Sequence, residues 1–265
     1  HKFKPVVISG AMLAGALAAG VILSAIIYVS VFDYQPYSIR GSGPGGGLDF
    51  DYASNWSFHP LEMVTFIIPS FMGFGGSTYW GKMPFTDYPL YFSIIVFLLA
   101  GLPFILKRDR FTWFLGTVAL FSLFMSFGRY FPILYTPLFK FFPFFNKFRI
   151  PSMIHIILDI AMVALAAYGI HALLEFREKA GQNKLLERDI SRIKRYLATF
   201  SLCVGVLFLF MLFGKSIYLD MVAASRSFLN LYLRETAYNN AMMDSLKALT
   251  LLLIGVFVVW QFLQG

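Results

Sequence analysis

Six apolar runs organise this chain, and they restrict its fold more than any other feature. They cover residues 5–32, 88–106, 111–127, 151–174, 196–213 and 246–263. A helix needs roughly 20 apolar residues to cross about 30 Å of hydrocarbon. In lipid, only helices and closed barrels satisfy every backbone polar group. The runs therefore predict an all-α fold, a polytopic transmembrane helical bundle with about six spans. The third and sixth runs are short, and Lys247 inside the sixth has to reach an interface along its own stem. Composition agrees, with 58% hydrophobic and only 14% charged residues, where a soluble domain carries about a quarter charged.

The net charge of +8 is spread among apolar spans rather than gathered on one face. Phospholipid headgroups account for that spread, and nucleic acid does not. The single cysteine, Cys203, lies within an apolar run, which excludes an internal disulfide. The chain runs from His1 almost directly into a span and ends at Gly265 just beyond another. It reads as one membrane domain over 1–265, a fragment of a longer protein.

Charge also orders the connections. "KRDR" at 107–110 is a tight turn, and 175–196 is the most densely basic segment. Short Lys- and Arg-rich loops mark the cytoplasm, so both fragment termini are expected there. The connections 33–87, 128–150 and 214–245 then lie outside and carry interfacial helices. The first holds "LEMVTFIIPSFMG", 61–73, too short to cross and broken by Pro69. It predicts an interfacial or re-entrant helix, with Pro60 in its first turn and Glu62 against its positive end. The turn-rich "GGSTYWGKMPFTDYP", 75–89, follows. In the second, Pro132, Pro137 and Pro143 argue against one continuous helix. Its aromatics, interleaved with Arg129, Lys140, Lys147 and Arg149, suit the headgroup level. In the third, 217–238 predicts an amphipathic stretch on the surface.

Several residues carry possible chemistry. His155 and Asp159 stack on one helix face, with Asp159 roughly 12 Å into the span counted from Pro151. This buried polar pair is either an acid–base pair or a structural hydrogen bond between helices. Arg149, just before Pro151, offers a planar fork to a phosphate, or simply anchors the span. Arg40 and Lys82 are further cations for the same role. Trp56, Tyr79 and Trp80 either stack on a ligand or belong to an interfacial belt. Glu62 and Asp87 are the outer carboxylates of interest, although two acids of unknown separation do not define catalysis. No metal motif is present, and "GSGPGGG" at 41–47 lacks the ending of a nucleotide-binding loop.

The succession "PYSIRG … YASNWSFHPLEMVTFIIPSFMGFGG … YWGKMPFTDYPLY", followed by "FFPFFNKFRIPSM" and an apolar span, resembles the bacterial YfhO family over roughly residues 30–175. That family is grouped with the GT-C glycosyltransferases. The resemblance implies sugar transfer on the outer face of the bacterial cytoplasmic membrane. The donor would be linked to polyprenyl phosphate, and the acceptor would belong to the cell envelope. It further implies a catalytic acid in a first outer loop that precedes residue 1. No catalytic residue is therefore carried onto this chain, and the remaining N-terminal part of the protein becomes an expected partner. The family alone would admit a divalent metal. Arg40, Trp56, Glu62, Trp80, Lys82, Asp87 and Arg149 become candidates for substrate contact. The competing readings are a transporter or flippase for lipid-linked material, with His155 and Asp159 lining its path, and a structural membrane module without its own chemistry.

Overall fold

A computed structural model describes residues 3–38, 41, 47–73, 75, 77–86, 90–180 and 186–264. Among these residues the protein is all-helical, without strands. The chain divides into two compact units, one of His1–Ala53 with Phe139–Arg149, the other of Ser54–Leu138 with Ile150–Gly265.

The smaller unit is built on α1 (Phe3–Tyr34), whose apolar side chains are exposed on all sides; Leu23 and Ile26 are each 82% exposed. A helix apolar all round suits a lipid surround. The short helix α2 (Phe50–Ala53) and residues 139–149 complete this unit.

The larger unit holds α3 (Ile94–Ala100), α4 (Pro103–Leu106), α5 (Arg110–Ser126), α7 (His155–Ala180), α8 (Leu186–Phe213), α9 (Lys215–Ser225) and α10 (Leu231–Gln264). The helix α6 (Pro132–Phe141) passes from this unit into the smaller one. Among the described residues, four segments are long and apolar enough to cross a membrane: Val7–Tyr37, Pro151–Lys179, Arg188–Phe213 and Leu231–Gln264. The two other expected spans are shorter. The 17 residues of α5 rise about 25 Å. Its neighbour is broken into α3 and α4 where Pro103 cannot extend the preceding helix.

The bundle packs closely because small residues sit where helices meet. A Cβ on Gly169 of α7 would collide with the carbonyl of Leu99 in α3, so only glycine permits this approach. Tyr196 of α8 donates to the carbonyl of Leu98 at 2.8 Å, satisfying a group near the α3–α4 break. Asp109 caps α5 by accepting from the Thr112 N–H at 2.8 Å, and Tyr168 of α7 donates to the same carboxylate.

Two loop expectations change. The 61–73 segment forms a 3-10 helix over Pro60–Phe66, capped by the His59 side chain, and then turns. Thr65, Phe66, Ile68, Phe71 and Met72 are all buried, so its apolar residues fill the core of this unit instead of lying in lipid. Residues 217–238 are not one surface stretch. They divide between α9 and the start of α10, and Tyr218, Val222, Ala237 and Tyr238 are buried. The second connection is not one continuous helix, as its prolines predict: it divides into Gly128–Tyr130, α6 and Phe145–Lys147, with Pro132 opening α6 and Pro137 inside it.

Candidate functional site

The turn-rich segment 70–86 is held from two sides within the larger unit. Gly73 adopts φ +64°, and a Cβ there would strike the Thr78 carbonyl. Trp80 is buried, donating from its indole to the Phe71 carbonyl at 2.9 Å, with Tyr218 of α9 donating to the same oxygen at 2.7 Å. The Ser225 hydroxyl donates to the Trp80 carbonyl at 2.7 Å. Trp80 is thus a core residue tying this segment to α9, and its ring faces Phe71 and Tyr218.

Glu62 holds the next turn. Its carboxylate is only 2% exposed and accepts from the Tyr79 hydroxyl at 3.1 Å and the Lys82 N–H at 3.1 Å. Tyr79 in turn accepts from the Met83 N–H at 2.9 Å. Burial pushes the Glu62 carboxyl above its ordinary value, against the smaller opposing effect of these donors. Burial and the neighbouring Glu62 charge raise Tyr79 well above the usual phenol range, so it remains a donor.

Arg226 closes the arrangement from the end of α9. Its Nη2 donates to the carbonyls of Met83 at 2.6 Å and Gly81 at 3.2 Å, and its guanidinium lies over the Phe228 ring. On the other wall, Arg129 donates from Nε to the Ser54 carbonyl at 3.1 Å and from Nη2 to Asn55 Oδ1 at 3.1 Å. The N–H of Arg129 also binds Ser57 Oγ at 3.0 Å, and Phe58 N–H binds the Ser126 carbonyl at 2.8 Å. These bonds join 54–58 to the end of α5.

Between the walls lies a cleft of about 470 Å³ lined by Asn55, Lys82, Arg129, Tyr130, Arg226 and Phe228 among others. Three cationic side chains converge on it. The Lys82 side chain is exposed and forms no ion pair with a described residue. His59, against the Tyr130 ring at 4.7 Å, is held below its ordinary pKa by burial and then by the Lys82 charge. It stays neutral, consistent with Nδ1 accepting from the Leu61 N–H. A concave site with lysine and guanidinium donors and an aromatic wall suits a phosphate-bearing headgroup.

The candidates named from sequence separate. Lys82 lines the cleft; Glu62 and Trp80 support it from the core. Trp56 is half-buried, edge-on to Phe85 at 5.4 Å. Arg149 belongs to the smaller unit, where it stacks 4.2 Å from the Tyr52 ring and donates to its hydroxyl at 2.8 Å. Arg40 and Asp87 lie outside the described residues. His155 is 2% exposed, edge-on to Phe58 at 4.5 Å, and neither ring nitrogen has a hydrogen-bond partner among the described residues. The pair with Asp159 is therefore not made: the imidazole packs among phenylalanines while Asp159 is half-buried. Sequence reading missed Arg226, and it placed Arg129 at headgroup level without assigning it to a site. No group of acidic, histidine or cysteine side chains suited to a metal occurs among the described residues.

Comparison with protein-family models, with curated proteins and with solved structures found no match.

Proposed function

We propose that this chain forms the substrate-holding part of a GT-C-like membrane glycosyltransferase. It would transfer a sugar from a polyprenyl-phosphate-linked donor to a cell-envelope acceptor on the outer face of the bacterial cytoplasmic membrane. The convergence of Lys82, Arg129 and Arg226 on one cleft carries this reading, because a lipid-linked donor presents its phosphate at the end of a bundle. In this arrangement the cleft end faces outward, the basic 107–110 and 175–196 segments face the cytoplasm, and both termini are cytoplasmic. The shorter helices α3–α4 and α5 then form an antiparallel hairpin beside α7, bringing the crossings to six. No catalytic residue is assigned to this chain.

Transport of lipid-linked material is less well supported, because His155, the expected lining of a polar path, is enclosed by Phe58 and Phe66. The two readings separate in proteoliposomes of the full-length protein loaded with a polyprenyl-phosphate-linked radiolabelled sugar. Appearance of label in a new covalent product supports transfer. Movement of intact donor between leaflets, without a product, would replace this reading with transport.

A further inference from the structure

We propose that residues 139–149 are a membrane-interface anchor, with phenylalanines among the acyl chains and Lys140, Lys147 and Arg149 at anionic headgroups. Four phenylalanines of this segment point outward: Phe141 is 83% exposed, Phe142 59%, Phe144 63% and Phe148 67%. Four such rings within eight positions form a patch that water does not favour.

Two features set the height of this patch. Lys147 donates from Nζ to Gln35 Oε1 at 2.6 Å, and Gln35 begins the turn that directly follows α1. The Leu48 N–H binds the Asn146 carbonyl at 2.8 Å, and Phe50 meets Phe139 edge-on at 5.3 Å. The segment is thus fastened beside the end of a helix long and apolar enough to span a bilayer, where hydrocarbon gives way to headgroups. Aromatic rings concentrate at that depth.

The backbone and charges fit the same surface. Phe144 adopts φ +63°, an uncommon conformation for a bulky residue, and one that persists only when its surroundings enforce it. Lys147 lies over the Phe144 ring at 5.5 Å, and Arg149 over Tyr52 at 4.2 Å. Cations interleaved with rings match an anionic lipid surface, where long stems reach headgroups while their aromatic neighbours enter the acyl region. A protein partner covering the same rings would have to accommodate these cations as well. Lipid is the occupant the segment fits.

The test uses nitroxide labels on the full-length protein in nanodiscs of phosphatidylethanolamine and phosphatidylglycerol. Cys203, the only cysteine of the chain, is first replaced with serine. Labels are then placed by Phe142→Cys, Phe144→Cys and Phe148→Cys, with Asp51→Cys as an exposed reference in the same unit. At the three phenylalanine positions, relaxation by dissolved oxygen should exceed relaxation by a water-soluble nickel chelate, and at position 51 the order should reverse. Water-like behaviour at positions 142, 144 and 148 would overturn the proposal. Protection from both reagents would overturn it too, because that marks burial against protein.

Discussion

The two ends of the larger unit use positive charge differently. At the basic end, Glu175 collects Lys107 at 2.6 Å, His171 at 3.0 Å and Lys179 at 3.5 Å, while Asp189 takes Arg192 at 3.3 Å. Lys194 lies over the Trp260 ring and Arg177 over Phe262. At the cleft end, Arg226 is held by backbone carbonyls, and neither it nor Lys82 forms an ion pair with a described residue. At the basic end acidic side chains take up part of the charge; at the cleft end Lys82 and Arg226 line a cavity. A basic segment by itself therefore says little about a site. What distinguishes the cleft is that its cations line one concave space, where backbone carbonyls fix Arg226 in place.

The largest expected effect on stability comes from removing the cation that organises the cleft. Arg226→Ala deletes hydrogen bonds from a charged donor, each contributing roughly 1.5–3 kcal/mol, and should loosen residues 81–84. Lys107→Ala at the basic end breaks a partly exposed pair and should cost only about 1 kcal/mol or less. Thermal unfolding in detergent, with limited proteolysis around residue 83, compares them. Equal losses would break the contrast between the two ends.

A smaller effect concerns the buried acid beneath the cleft. Glu62 has a folded pKa raised by burial, so the folded state binds its proton more tightly than the unfolded state. Its ionisation then opposes folding. The penalty is absent below the ordinary value of 4.5, grows as pH rises through the interval up to the raised folded pKa, and is full above it. Glu62→Gln keeps an acceptor for the Lys82 N–H and should flatten this decline. Melting temperatures measured on both sides of that interval decide it; an unchanged pH dependence in Glu62→Gln would mean that the donors at Tyr79 and Lys82 cancel the effect of burial, and contradict the prediction.

Smaller still is the effect of His155→Phe. Replacing a buried, unpartnered polar ring among Phe58 and Phe66 by an apolar one should leave stability unchanged within about 1 kcal/mol or raise it. A large loss would show that the imidazole contributes polar interactions at that position.

Much of the bundle was legible from the length of its apolar runs. Near 5–32, 151–174 and 196–213 the helices are long and apolar enough to span. The start of α10 was not, because Arg234, Glu235, Asn239, Asn240 and Asp244 lower the hydropathy ahead of residue 246. The signal was periodic instead. Ala237, Ala241, Ser245, Ala248 and Leu252 recur at helical spacing and are the buried stripe. Asp244 then accepts from Ser70 as well as Lys247, so Lys247 is paired within its helix. The cleft was only partly legible. Lys82 stands in a turn-rich segment that draws attention, whereas Arg129 and Arg226 come from distant loops and meet it only through the fold. Apolar content in 61–73 suggested lipid contact, but hydropathy cannot separate a lipid-facing segment from one buried against protein.

The central claim is that the cleft takes a phosphate-bearing headgroup, and Lys82→Gln tests it most directly. The Lys82 side chain is exposed and forms no ion pair with a described residue, so stability should hold within about 0.5 kcal/mol. Binding of a polyprenyl-phosphate-linked sugar to the full-length protein in nanodiscs should nevertheless weaken about tenfold, as expected for loss of one charge-assisted contact. Lys107→Gln, at the opposite end, should bind like the unaltered protein. Equal affinity of Lys82→Gln and the unaltered protein, or an equal loss in Lys107→Gln, would contradict the account.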